Sequence, residues 1–210
     1  MTQAGLASCY PVTAVDEFGH PRPMELVGER PLTAYLDKHE IVTLMTVGSH
    51  PELLVLGYLR NQGLVADISD IAAVQVDWTV EAAAVTTHSR SKAFLDKLGS
   101  RTVTTGCGQG TMFGKLMDQL QQIHVPGFRV RQSSLYGLLN GMRAFNDVYR
   151  RAGAVHGCAL CSGEQVDFFV EDVGRHNAVD AIAGYMWLNA VGGAGKIFYT
   201  TGRLTSEMVI

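Results

Sequence analysis

The sequence lacks any excess of basic charge: 17 Lys and Arg stand against 20 Asp and Glu, for a formal net charge of -3. No broad positive field exists to hold a nucleic-acid backbone, which argues against DNA or RNA as partner and leaves only local basic spots for a small anion. Long apolar runs are missing too. The longest charge-free stretch near the end, residues 181–195, carries Asn189 and four glycines, so it reads as a buried helix and a loop rather than a membrane span. Residues 1–10 have no charged leader and no long apolar run, unlike a secretory signal. Cysteine is scarce. Four thiols, at 9, 107, 158 and 161, make no disulfide scaffold and read as free thiols in a reducing cytoplasm. Solenoid repeats and low-complexity tracts are absent.

What is present suffices for one large α/β domain, or one domain with a small appendage: 210 residues, 47% of them hydrophobic. Residues 1–23 hold Pro11, Pro21 and Pro23 and little periodicity, and read as an extended lead-in. Residues 24–46 suit strands with a turn at Asp37-Lys38-His39. Ser49 and Pro51 open a helix with one apolar face, closed by Gly63. Residues 72–88 are strand-like, and residues 89–98 form a short helix stopped by Gly99. One long helix is expected over residues 134–151, from the apolar spacing of Leu135, Leu138, Leu139, Met142, Phe145 and Val148. Residues 154–161 and 166–170 read as a strand pair, 176–188 as a helix and 196–200 as a strand. A new helix begins near Thr205 and stops at Ile210, as in a fragment of a longer protein.

Four stretches carry chemistry. Cys107 lies among Gly106, Gly108 and Gly110, ahead of a helix expected over residues 112–123. A sterically bare thiol before a helix N-terminus has its thiolate favoured; the alternative is a small residue in a tight turn. His156-Gly157-Cys158-Ala159-Leu160-Cys161 pairs a His with a C-x-x-C. On a strand, His156 and Cys158 share a face and Cys161 points away, so zinc needs a turn and two further ligands; the alternative is two small buried hydrophobes. Residues 171–180 run from a strand through Gly174 into a helix, with Arg175, His176, Asn177 and Asp180 in its first turns. Such a junction suits phosphate, and Asp180 lies one turn beyond His176, where it can orient that ring; the alternative is a capped helix with surface charges. Gly202 and Arg203 repeat the strand–Gly-Arg–helix pattern, with Thr205 or Ser206 as cap, so two junctions can hold two anionic parts of one ligand.

Together these residues resemble the FdhD family, the formate dehydrogenase accessory sulfurtransferases. The run from Glu171 to Asp180 resembles its EDVGRHNAVD signature. Phe145 with Gly153-Ala154-Val155-His156 resembles its F…TGGVH segment, and residues 201–209 resemble SGRxSSEMV. Leu44-Met45-Thr46, Pro51 and residues 53–59 resemble TPGDxxELALGFL, so the likeness spans roughly residues 29–210.

The resemblance implies a cytoplasmic protein needed for active formate dehydrogenase. It implies that Cys107 accepts sulfur from a cysteine desulfurase as a persulfide and passes it to the molybdenum bis-guanine-dinucleotide pterin. It implies a cofactor site at His156, Arg175, His176, Asn177, Asp180, Gly202 and Arg203, no intrinsic metal, and a homodimer. The implied fold is α/β: a cytidine-deaminase-like mixed sheet flanked by helices over residues 89–210, and a smaller β-rich N-terminal part with one helix over 24–88.

The chain departs from the family pattern at several points. The family's CGxCG loop aligns with residues 107–111, where Gly110 replaces the second cysteine. Cys158 and Cys161 stand where the family has apolar residues, and Ala181 where lysine is common. The family's C-terminal region, which contributes to cofactor binding, would follow Ile210. Cys158, beside the family histidine, is expected to lie near Cys107 and stand in for the missing thiol, with Cys161 as a further auxiliary thiol. Two rival readings are a zinc-dependent deaminase, which wants His-x-Glu and Pro-Cys-x-x-Cys where this chain has His156-Gly157-Cys158, and a chaperone that holds cofactor or dehydrogenase without carrying sulfur.

Overall fold

The computed structural model describes residues 1–88, 127–205 and 208. Strands β1 (Cys9–Val15) and β2 (Pro21–Val27) form an antiparallel hairpin. The extended lead-in over residues 1–23 is therefore corrected: a boundary at residue 24 cuts β2 in half. Prolines masked the hairpin in the sequence, yet their positions allow it. Backbone bonds join Asp16 to His20 and Gly28 to Ser8, so even-numbered residues of β1 bond β2, and Pro11, Pro21 and Pro23 take outward-facing positions that lose no ladder bond.

A four-stranded sheet follows, ordered β4-β3-β6-β5, from β3 (Arg30–Leu36), β4 (His39–Thr46), β5 (Ile71–Asp77) and β6 (Ala82–Thr87). Only β3 and β6 run parallel. Asp37 and Lys38 turn the β3–β4 hairpin with φ of 46° and 74°, the sense that matches strand twist. The Asp37 carboxylate also accepts from the Thr87 amide and hydroxyl, tying down the end of β6. Helix α1 (Pro51–Asn61) starts at a proline whose missing N–H costs nothing there.

The expected single helix over 134–151 is two: α2 (Gln132–Met142) and α3 (Asp147–Ala152). Asn146 breaks it by bonding its side chain to the Met142 carbonyl, a local competitor of the helical ladder. Strands β7 (His156–Ser162), β8 (Gln165–Asp172) and β9 (Lys196–Thr200) form an antiparallel sheet ordered β8-β7-β9, and α4 (Arg175–Leu188) links β8 to β9. The architecture is thus mixed α/β.

One apolar core joins the N-terminal part to the rest. Leu32, Leu36, Leu56 and Val85 are buried in the same cluster as Cys158, Val170, Ala181 and Ile182. The division at residues 88 and 89 therefore does not separate two cores. Its centre is the crossing of α1 and α4, where glycines meet backbone to backbone. A Cβ on Gly57 would lie 1.7 Å from the Asp180 carbonyl oxygen, and one on Gly184 would lie 2.0 Å from that of Leu53. A smaller cluster under α2 holds Leu138, Met142, Ala159 and Cys161.

Candidate anion-binding site

β8 and β9 run the same way, both antiparallel to β7, so their carboxyl ends meet at the start of β7. The first junction is the turn Val173-Gly174 into α4. Gly174 occupies the N-cap position without a side-chain cap, and a Cβ there would press within 2.9 Å of the Asn177 amide nitrogen. Asp172 fixes this turn. Its Oδ1 accepts from the Gly174 N–H at 3.0 Å and from Asn177 Nδ2 at 2.9 Å. Its Oδ2 accepts from the Thr46 hydroxyl at 2.5 Å and the Val47 N–H at 3.3 Å. Burial still pushes this carboxyl above the usual range, against the lowering effect of those four donors.

The second junction follows β9. The Thr201 backbone N–H donates to the Gly157 carbonyl, its hydroxyl accepts from the Gly157 N–H, and the Gly202 N–H donates to the Thr200 hydroxyl. The two junctions touch. Arg175 lays its stem against Gly202, where a Cβ would meet Arg175 Cβ at 3.0 Å and Cδ at 3.2 Å. Arg175 Nε and Thr205 Oγ1 are buried without a hydrogen-bond partner. A buried, unsatisfied guanidinium N–H at a helix N-terminus is suited to donate to an oxyanion. His176 is half-buried in the same turn, Arg203 is exposed, and His156 sits opposite Asp172 across the β7–β8 ladder.

The remaining predicted residues have other partners. Asn177 is buried and donates from Nδ2 to the Met45 carbonyl and to Asp172. Asp180 is 3% exposed and accepts from Asn61 Nδ2 at 2.7 Å, pinning α4 to α1. Both therefore make scaffold bonds inside the fold, in addition to their expected place in the cofactor site. Cys158 and Cys161 are wholly buried on opposite faces of β7, one in each apolar cluster. Burial pushes each thiol up to about 11, although the Cys158 thiol bonds the Thr200 hydroxyl at 3.3 Å. Both pack as small core hydrophobes, and burial disfavours the thiolate that the exchange expected of Cys158 and Cys161 as auxiliary thiols would need. Cys107, its glycine loop and its distance to Cys158 lie outside the described residues. Among the described residues no group of His, Cys, Asp and Glu could hold a metal ion, and no helix is long and apolar enough to cross a membrane.

The sequence reading held Glu171 and Asp172 within the candidate run but gave neither a role. Glu171 accepts from the Val148 and Tyr149 N–H groups, both at 2.9 Å, and so caps α3 from a neighbouring strand. Nothing local signals such a distant cap. A cavity of about 390 Å³ along β8, walled by Phe145, Phe168, Phe169 and His50, was also unforeseen. Burial holds the His50 imidazole below its usual value.

The fold defines a mixed α/β protein, with the paired junctions at one end of the β7–β9 sheet as its candidate anion site. A solved structure described as a candidate formate dehydrogenase accessory protein from Desulfotalea psychrophila has the same fold, with a TM-score of 0.70 and 21% identity over 96% of this chain and 76% of that one. The FdhD/NarQ family model matches residues 27–210, and the chain belongs to that family. Similar relatives include the sulfur carrier protein FdhD of Bacillus licheniformis, 28% identical over 89% of this chain and 71% of the relative. The protein of the same name in Bacillus subtilis is 27% identical over 88% of this chain and 71% of that one.

Proposed function

We propose that this chain is a cytoplasmic sulfur carrier serving formate dehydrogenase, loaded at Cys107 by a cysteine desulfurase and discharged onto the molybdenum bis-guanine-dinucleotide pterin. The family supports the carrier role, and the contact between Arg175 and Gly202 supports the cofactor. That contact brings the two Gly-Arg junctions together with an unsatisfied guanidinium nitrogen between them. Arg175, His176 and Arg203 then face a diphosphate, with Gly202 leaving room for the Arg175 stem and His156 on the adjoining end of β7.

In loading, the Cys107 thiolate attacks the outer sulfur of the desulfurase persulfide. The desulfurase cysteine leaves as a thiolate, so one sulfur moves with its electrons balanced and no external oxidant. Exposed Tyr10, Met24 and Leu26, which share one face of the β1–β2 hairpin, support a homodimer as part of this reading. The β7–β9 sheet with α2 on one face and α1 and α4 on the other is the part we assign to a cytidine-deaminase-like arrangement.

Intact mass spectrometry after incubation with a desulfurase and cysteine tests the carrier. The parent should gain one sulfur atom and the Cys107→Ser protein none. Equal loading of both proteins would refute the assignment.

A further inference from the structure

Asp172 is a buried carboxylate placed between two parts of the chain, and its two oxygens divide between them. Oδ2 serves the end of β4 and the residue after it, through the Thr46 hydroxyl and the Val47 N–H. Oδ1 serves the start of α4, through Gly174 and Asn177. Asn177 closes the ring by donating to the Met45 carbonyl at 2.6 Å, and the Thr46 oxygen accepts from the Gly48 N–H at 3.1 Å. Thr46, Asp172 and Asn177 are 2%, 3% and 7% exposed, so water does not share these bonds.

Such a group is an expensive way to hold a fold together, because its four donors here are neutral and a carboxylate buried among neutral donors costs more than apolar packing of similar volume. What it supplies is direction. α4 begins without a side-chain cap, so the bond from Gly174 to Asp172 sets the turn from which Arg175 departs. Arg175 then lies on Gly202 with its Nε buried and unsatisfied.

We infer that Asp172 is the positioning residue of the anion site, holding Arg175 in its binding pose by anchoring the α4 turn to residues 45–47. The inference rests on reading that turn as the cofactor's phosphate site. Asp172 touches no ligand itself and acts through Gly174 and Arg175.

The test is a double-mutant cycle on guanosine diphosphate binding, measured by calorimetry with the parent, Thr46→Val, Arg175→Ala and the double variant. Thr46→Val removes one donor from Oδ2 and leaves the site residues in place. It should weaken binding about fivefold, part of the worth of a bond to a charged group. In the Arg175→Ala background the same change should cost less than about twofold, because its effect passes through Arg175. Amide exchange gives the second readout: the Gly174 N–H should exchange about tenfold faster in Thr46→Val. Asp172→Asn, which sets an amide against the Val47 N–H and keeps Oδ1, should reproduce both effects if Thr46→Val folds poorly. A parent that does not bind the nucleotide refutes the anion site and the positioning role with it. A parent that binds, with Thr46→Val equal to it, with the loss unchanged in the Arg175→Ala background, or with Gly174 exchange unaltered, refutes the positioning role alone.

Discussion

Gly57→Ala puts the α1–α4 crossing to the test. The added Cβ would lie 1.7 Å from the Asp180 carbonyl oxygen and must reach 3.0 Å before any real contact is matched, so the helices have to part by roughly 1.3 Å. The obstacle is backbone, and no rotamer change relieves it. Alanine in a helix interior favours the helix by up to about 1 kcal/mol over glycine. Overpacking of a close-packed core costs about 1–3 kcal/mol, and a backbone clash belongs at the upper end of that range. The net loss is about 2 kcal/mol, which for a chain of this size lowers Tm by about 4–8 °C. Thermal unfolding followed by circular dichroism measures it, with Gly192→Ala as control, since a Cβ there meets nothing within 4 Å. Because α4 carries Arg175, the same variant should weaken guanosine diphosphate binding. A Gly57→Ala protein melting within about 1 °C of the parent would show that the crossing is not close-packed and would sink the argument.

Other expectations are more local. Arg175→Ala should weaken guanosine diphosphate binding at least tenfold, as befits a lost charge-assisted pair, while sulfur loading of Cys107 stays intact; equal affinity by calorimetry counts against it. Cys158 and Cys161, with pKa values raised to about 11, should resist a thiol reagent at neutral pH until the protein unfolds, and peptide mapping after labelling of the folded protein should show both unmodified. Glu171→Gln leaves the α3 amides a weaker acceptor and should cost about 1 kcal/mol in urea unfolding. Because the Asp172 carboxyl is raised in the fold, its favourable contribution is fully present below the ordinary carboxylate value and is lost as pH rises to the raised one. Urea unfolding from about pH 4 to pH 7 should show the parent's stability relative to Asp172→Asn falling over that window, and a difference that grows with pH would reverse the sign.

Much of the fold was legible because its elements obey local rules. The Asp37-Lys38 turn, the Pro51 helix start and the β7–β8 strand pair all stand where periodicity and turn residues put them. The opposite faces of Cys158 and Cys161 followed from strand alternation alone. Features set by distant partners were not legible. The hairpin of residues 9–27 hides its prolines on outward positions that only pairing reveals. The break at Asn146 depends on one side-chain bond, and Glu171 caps a helix more than 20 residues away in sequence. At the site, the sequence paired two strand–Gly-Arg–helix junctions, and in the structure Arg175 of the first lies against Gly202 of the second. Asn177 and Asp180 share the same dense run, but their bonds reach back to Met45 and Asn61, which no local pattern announces.

The outward prolines of the hairpin have an effect on how this protein meets other chains. A two-stranded ribbon exposes two edges, each a template for runaway strand addition and fibre growth. Here β2 lacks donors at Pro21 and Pro23, and β1 lacks one at Pro11, so an incoming strand finds gaps in the ladder on either side. Growth by edge is discouraged while the face bearing Tyr10, Met24 and Leu26 stays open. The edges are thus closed to strand addition, and that face is what the hairpin leaves open to a partner.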